Sequence, residues 1–390
     1  MERDIRWLWA AYTVSTFGTW LGFGAFALIA VLVLHAGPAG VALLAAAGPA
    51  AGALVAVLLG PWIEARPKRP VMVTMDLVRF AALASVPAAY ALGSLTLAHL
   101  VAVSIVTAAA GIASRAASGA FLKSLVPRDV LLAVNGRFEA TTWTATLVGP
   151  PLGTAAIGLL GPVVTVAADA VSYLLSALGL RAIRFPEGTV DRRPAGSLLD
   201  GWRHLLRHRE LRLLYANSVA VNGLIMATSP LVAVLLLDRL GFAPWQYGLA
   251  FGAPCLGGLL GSRLAPPLVA RYGRHRVLRA AGVLRVCWPL GLAFPGPGTG
   301  GLVLVLAVQF ALVTCMGVYN PVLATHRLDR IAPDRVARAL TAWSVSSNAG
   351  VAALTAVWGW LAGVAGLRTA IAAAGLLLLA TPLLLPRLRV

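Results

Sequence analysis

The feature that most restricts this chain is its series of long apolar runs, broken at near-regular intervals by short polar or glycine- and proline-containing stretches. The runs fall at 7–34, 39–61, 70–92, 97–121, 135–160, 161–183, 212–238, 244–268, 275–295, 299–322, 339–362 and 364–386. An α-helix needs about 20 apolar residues to cross the hydrocarbon of a bilayer. A helix also satisfies its own backbone polar groups there without help from a neighbour. The expected fold class is therefore an all-α membrane protein with twelve transmembrane helices. Only 12% of the residues are charged, against roughly 25% in soluble domains, which argues against a soluble enzyme, a disordered chain and a secreted disulfide scaffold. The first run is too long for a signal-peptide core and follows Arg3 and Arg6, so it reads as a span and not a cleaved leader.

The charge balance gives orientation. The chain has 32 Lys and Arg against 14 Asp and Glu, a formal net charge of +18. In a soluble protein that excess would suggest nucleic acid, but basic residues retained in cytoplasmic loops also set membrane topology. No arginine-rich stretch interleaved with stacking aromatics lies on a polar domain, so no nucleic-acid partner is expected. With the ends placed inside, only Arg239 and Arg368 fall in outward loops, and the other 30 of 32 basic residues lie inward. The expectation is a multi-pass protein of the cell (inner) membrane with both termini cytoplasmic. Outward loops such as His35 to Pro38 and Gly93 to Leu97 are short. The expected partners are the lipid bilayer, a small-molecule substrate and protons, and the chain is expected to be a monomer. Cys255, Cys287 and Cys315 each sit inside an apolar run and read as packing residues.

The sequence also repeats. RDIRWLWA, from Arg3 to Ala10, returns 206 positions later as RELRLLYA, from Arg209 to Ala216. The same offset maps Gly52 onto Gly258, Lys68 and Arg69 onto Arg274 and His275, Arg79 onto Arg285, Gly111 onto Gly317 and Pro127 onto Pro333. A five-residue deletion then changes the offset to 201, bringing Arg137 onto Arg338 and Gly149 onto Gly350. The expected organisation is an N-terminal six-helix half at 1–183, a cytoplasmic linker at 184–211 and a C-terminal six-helix half at 212–390. Parallel repeats of this kind are related by an axis along the membrane normal and place a substrate site between the halves near the midplane.

Within the linker, Ser197 and Asp200 fit a capping box that starts an amphipathic helix. Leu198, Trp202, Leu205 and Leu206 form its apolar stripe, with Arg203, His204, Arg207 and His208 around it. Such a helix is expected on the inner membrane surface, its basic face toward anionic lipid. His204 and His208 stand four apart, but no carboxylate or cysteine completes a ligand set, so no metal is expected.

Residues 60–72, GPWIEARPKRPVM, resemble the inner-loop signature of the major facilitator superfamily. Gly60 matches its glycine, Lys68 and Arg69 its basic pair and Met72 its last apolar position, while Glu64 stands for the aspartate. The second copy, Pro266 to Leu278, keeps Arg271, Gly273 and Arg274 but has Ala270 at the acidic position. In that superfamily the first loop lies beside the start of the eleventh span, here near Thr341. The resemblance therefore implies a gating loop in which Glu64 is the surviving acidic latch.

GPPLG, from Gly149 to Gly153 with Pro150 inside it, resembles the glycine-proline motif of the superfamily's antiporters. It implies a bend or close helix approach in the fifth span. GWRHLLRHRELRLLYANS from Gly201, LLLDRLGFAPWQYGLAFGAPCLGGLLGS, DAVSY at 169–173 and SLVPRDVLLAVN at 124–135 are similar to the enterobactin-exporter and macrolide-efflux branch. That resemblance implies a proton-coupled exporter of small amphipathic compounds, such as a drug, siderophore or natural product, in two parallel-related six-helix halves. Members of the branch often carry an acid near Thr19, where this chain has none.

An antiporter needs a group that is charged in one state and neutral in the other. The acids within spans are Asp76, Asp169 and, near a helix start, Glu139. Asp169 reads either as a coupling group or as a structural hydrogen-bonding group. Asp76 and Arg79 share a helical face, as a structural ion pair would. Arg115 either faces the cavity or snorkels inward. The superfamily resemblance places the first, fourth, seventh and tenth spans centrally, so the cavity candidates it implies are Thr16, Trp20, Arg115, Asn217, Asn222, Gln309 and Asn320, some of which would instead join helices.

No G-x-x-x-x-G-K-[ST] loop supports a primary pump. No H-E-x-x-H, C-x-x-C or G-x-S-x-G supports an enzyme, the six histidines are scattered, and no cofactor is expected. The alternatives left open are an importer of a small solute and a non-transporting sensor that retains the fold.

Overall fold

The computed structural model describes residues 2–36, 38–187, 199–332 and 335–386, and among these every regular element is a helix. The elements are α1 (Glu2–Leu21), α2 (Ala25–Leu28) with a π segment (Ile29–Val33), α3 (Pro38–Glu64), α4 (Lys68–Ala91), α5 (Leu97–Leu125), α6 (Leu131–Leu160) and α7 (Pro162–Arg181). After α8 (Asp200–Arg207) come α9 (Arg209–Val234) with a second π segment (Leu235–Arg239), α10 (Pro244–Gly252), α11 (Cys255–Tyr272), α12 (Arg274–Cys287), α13 (Thr299–Arg330), α14 (Val336–Ala365) and α15 (Leu367–Ala380).

Each expected span has its helix. Nine helical stretches among the described residues are long and apolar enough to cross a membrane. The second span is α3. The eighth is split into α10 and α11, because Pro254 has no N–H with which to continue the ladder past Gly252. The ninth is the 14-residue α12 followed by a 3-10 turn at Pro289–Ala293. Pro150 and Pro151, by contrast, lie inside an unbroken α6, as prolines in membrane helices often do.

The chain divides into two compact units. The first comprises Met1–Arg128, Val148–His204 and Ile331–Val345, and the second Asp129–Leu147, Leu205–Arg330 and Ser346–Val390. They follow the repeat in outline, except that 129–147 belongs to the second unit and 331–345 to the first. Ile29, Leu83, Leu100, Val166 and Tyr173 are core residues of the first unit. Val221, Leu224, Leu235, Phe242, Val305, Trp358 and Ile371 fill that of the second, where the Trp358 indole donates to the Ala370 carbonyl at 2.9 Å.

The repeat is visible as geometry. The π segment at Ile29–Val33 reappears 206 residues later at Leu235–Arg239. Each is followed by a residue in the left-handed region, His35 at φ 51° and Gly241 at φ 64°. The helix pair that follows also corresponds. Gly48 faces Ser104 and Gly52 faces Ala108 across α3 and α5, and a Cβ at Gly52 would stand 2.5 Å from that of Ala108. Across α11 and α13, Gly257 and Gly261 sit on Thr314 while Gly317 sits on the Gly258 carbonyl. Small residues let these backbones approach where burial of apolar surface gives no advantage over lipid.

The linker helix departs from the expected amphipathic arrangement at two positions. Ser197 and Leu198 lie outside the described residues. In α8, Arg203, Arg207 and His208 are exposed and Leu205 is buried, as the amphipathic pattern requires, but His204 of the basic set is buried and Leu206 of the apolar stripe is 46% exposed. The reason is packing within the first unit: Gly201 rests on the Arg338 carbonyl, and Asp200 pairs with Arg338 at 3.2 Å.

Candidate functional site

In the first unit the four charged residues singled out from the spans meet in one polar centre. Asp76 and Arg79 come from α4, Arg115 from α5 and Asp169 from α7. Asp76 and Arg79 do not pair with each other. Asp76 is buried and accepts a hydrogen bond from Ser176 at 2.6 Å. The Arg79 guanidinium lies over the Tyr173 ring at 3.9 Å from its centroid and attracts both Asp76 and Asp169. Arg79 and Arg115 converge over Gly111, each about 3.5 Å from where a Cβ would stand, so a side chain there would push two cationic heads aside. Arg115 is the exposed member of the group.

Asp169 sits against α1. A Cβ at Gly18 would stand 2.9 Å from its Oδ1, and one at Gly22 would stand 3.2 Å from its Oδ2. Between them, the Thr19 hydroxyl and the Tyr173 hydroxyl share a hydrogen bond of 2.5 Å. Asp169 thus places a carboxylate from α7 beside the Thr19 turn of α1. Ser172 donates to the Asp169 backbone carbonyl at 2.7 Å, so the carboxylate keeps only the longer 3.4 Å contact with that hydroxyl.

The second unit holds a different version. Arg285, the repeat counterpart of Arg79, is buried, lies 3.6 Å over the Tyr319 ring and donates to Asn217 Oδ1 at 2.6 Å. Asn217 in turn donates to the Thr381 carbonyl at 2.9 Å. Among the described residues no carboxylate pairs with Arg285. Asn217, expected in the cavity, is 0% exposed and belongs to this packed network instead. A separate acid, Glu139, accepts from Trp143 at 2.9 Å and from Asn320 at 2.7 Å, with Arg327 as its cationic neighbour. Because α6 begins at Leu131, Glu139 lies two turns inside the helix and not at its start.

The remaining candidates are placed as follows. Thr16, Trp20, Asn222 and Gln309 are half-buried. The Trp20 Cβ would meet a Cβ at Gly149 at 2.5 Å, and Gly153 sits on the Leu21 carbonyl, so the glycine-proline motif closes α6 onto α1. Of the inner-loop motif, the surroundings of Gly60 and the Glu64 side chain lie outside the described residues. Lys68 donates from Nζ to the carbonyls of Ile63 and Arg66 at 2.9 and 2.8 Å. The second loop turns at Gly273, φ 81°, between α11 and α12; Arg274 pairs with Asp329, and Arg271 stacks on Tyr272.

Two groupings were not anticipated from sequence. Glu187 accepts from the backbone N–H of Lys68 and, at 2.7 Å, from that of Arg69, capping α4 from the far end of the first half. Nothing local signals this. At the start of the second half, Glu210 approaches His326 at 2.9 Å and Arg330 at 3.3 Å. Here a signal existed, because the 206-residue offset lays Glu210 over Asp4, which accepts from the Arg184 N–H at 3.0 Å.

Comparison with known proteins agrees with this architecture. The family model of the Major Facilitator Superfamily matches residues 8–326. The multidrug efflux pump Tap of Mycobacterium tuberculosis (strain ATCC 25618 / H37Rv) is 27% identical over 316 residues, covering 74% of this chain and 72% of the pump. Tap of Mycobacterium bovis (strain BCG / Pasteur 1173P2) matches to the same extent. Among solved structures, an outward-facing bacterial homologue of the iron transporter ferroportin superposes with a TM-score of 0.82 at 17% identity, over 97% of this chain and 98% of that one. The human organic anion transporter MFSD10 gives 0.76 at 16% identity over 99% of both. At such identities the structures speak for the fold alone.

Proposed function

Because the chain belongs to the Major Facilitator Superfamily, we propose that it exports small amphipathic compounds across the cell membrane in exchange for protons, by alternating access. It is a multi-pass membrane transporter and not an enzyme. Export is carried by one observation, the similarity to a multidrug efflux pump along three quarters of the chain. The basic asymmetry of the loops supports cytoplasmic termini.

Asp169 is the proposed coupling carboxylate. It lies within a membrane span, between Gly18 of α1 and Gly22 just past its end, with Arg79 near it. The centre carries two arginines and two carboxylates, so with both acids ionised its charges balance. A proton on Asp169 leaves the centre positive, and a change of one charge inside a membrane shifts the relative free energy of two conformations. Thr16, Asn222 and Gln309 are proposed to line the substrate path, since half-buried polar groups in a bilayer need either partners or water.

The test is accumulation of a panel of dyes and macrolides in cells with and without the protein. Expression should lower accumulation of at least one compound, and a protonophore should abolish the difference. Asp169→Asn should abolish proton-driven export while leaving substrate binding to the purified protein. Raised accumulation on expression would replace the export reading with import; a wild-type rate in Asp169→Asn would remove the coupling role.

A further inference from the structure

We propose that Glu210, His275 and His326 form a binding site for a divalent transition-metal ion of the zinc class, at the end of the second unit where α9 and α12 begin and α13 ends. The inference goes beyond the export reading and does not depend on it. The three side chains come from positions far apart in sequence: the first turn of α9, the first turn of α12 and the last turns of α13. One ligand atom from each lies within 4.8 Å of the other two. His326 Nε2 is 2.9 Å from a Glu210 carboxylate oxygen, and the two imidazoles meet edge to face at 5.5 Å.

Three features point to a ligand rather than to an ordinary ion pair. First, His326 is 1% exposed, and its Nε2, although aimed at Glu210, has no hydrogen bond of acceptable geometry. A buried ring nitrogen left in that condition calls for a partner, and a metal ion set on its in-plane lone pair would supply one. Second, the other Glu210 oxygen is already held by Arg330 at 3.3 Å. The carboxylate is thereby oriented, with Oε1 turned toward the two rings, as outer partners orient metal ligands. Third, two imidazoles with one carboxylate is a known three-ligand zinc set, completed by water. Imidazole nitrogens favour Zn²⁺, Cu²⁺ or Ni²⁺ over Mg²⁺ and Ca²⁺.

The geometry is close to closing. Bonds of about 2.0–2.2 Å in a tetrahedron put ligand atoms about 3.4 Å apart, against the 4.8 Å span here, and the exposed His275 is the member with room to change rotamer. His275 occupies the position where the first copy of the repeat has Arg69, whose guanidinium donates to the Ile183 carbonyl. A bound ion would pin the first turn of α9 to α12 and α13.

The experiment uses untagged, full-length protein purified in detergent and freed of metal. Zn²⁺ is titrated against a chromogenic chelator, and Co²⁺ serves as a spectroscopic substitute. The expected result is one Zn²⁺ per chain and a tetrahedral Co²⁺ visible spectrum. His275→Ala should weaken Zn²⁺ by about tenfold or more and abolish that spectrum. The exposed Arg271→Ala should change neither. An unaltered size-exclusion profile of His275→Ala establishes that the variant is folded. The proposal is overturned if wild-type protein takes up no Zn²⁺, or if His275→Ala binds it as tightly as wild type.

Discussion

Gly22 leaves the space that Asp169 occupies: a Cβ built at Gly22 would stand 3.2 Å from the carboxylate Oδ2 and 3.4 Å from the Asp169 Cβ. Gly18, one turn earlier, is tighter still, since its Cβ would overlap Ser172 on the same helix face. The two glycines therefore make different predictions. Gly22→Ala should fold, because a displacement of a few tenths of an ångström relieves it, but should reduce transport by moving the carboxylate. Gly18→Ala should lower stability by about 1–3 kcal/mol, the usual cost of overpacking. Thermal unfolding in detergent and accumulation assays separate the two; equal behaviour of both variants would mean that α1 and α7 adjust freely.

Arg79 and Arg285 correspond in the repeat and both stack on tyrosine, but only Arg79 has carboxylates beside it. Arg79→Met strands Asp76 and Asp169 without their cation, and loss of one partner from a buried charge group costs about 3–5 kcal/mol. Arg285→Met leaves only neutral Asn217 and Tyr319 behind, a loss of about 1–3 kcal/mol. The melting temperature should fall further in Arg79→Met, and Asp169→Asn should recover part of that fall. A larger fall in Arg285→Met would contradict the assignment of charges.

Glu187 caps α4 by accepting two backbone N–H groups. Pro67, the residue preceding that helix, offers no side-chain cap. Glu187→Ala should cost about 0.5–2 kcal/mol, as removal of an N-terminal cap does. Hydrogen exchange at the Lys68 and Arg69 amides should accelerate specifically, with the middle of α4 unchanged.

His35 adopts φ 51°, a conformation that strains any residue with a Cβ, whereas the second copy places Gly241 there. His35→Gly exchanges a strain of roughly 1–2 kcal/mol for a glycine entropy cost of roughly 0.5–1 kcal/mol. The variant should unfold at a slightly higher temperature than wild type. A clear decrease would show that the imidazole makes a contact worth more than the strain.

The proposed orientation is tested by labelling single cysteines in a background in which Cys255, Cys287 and Cys315 have been replaced. Ser94 and Arg66 are both exposed. Ser94→Cys should react with an impermeant maleimide in intact cells, and Arg66→Cys only after permeabilisation. The opposite pattern would invert the topology.

The helices were legible because crossing a bilayer demands long apolar runs, and the 206-residue repeat anticipated the matching π segments only in their equivalence, not in their kind. Runs such as ALIAVLV carry no signal that distinguishes a π turn from an α turn. The break at Pro254 was not legible in the run 244–268, because Pro150, Pro151, Pro266 and Pro267 lie inside unbroken helices. The polar centre was legible as a list of residues but not as a centre: Asp76 and Asp169 are brought together only by packing of α4 on α7. Glu139 reads from the sequence as lying near a helix start because the apolar run begins at 135, later than α6 does at Leu131. The burial of His204 in α8 and the gathering of Glu210, His275 and His326 depend on contacts remote in sequence, which periodicity does not report.

The glycines between α11 and α13 have a consequence for variation. Gly257, Gly261 and Gly317 meet backbone atoms of the facing helix at distances no Cβ tolerates. A saturating mutational scan should therefore show a silent stripe along this seam where even alanine is lost from the surviving pool. Leu256 and Leu260, on the same helix but more than 45% exposed, should accept nearly any apolar residue. Neighbours one position apart would then differ in tolerance as strongly as surface and core do in a soluble protein, with lipid in the place of water.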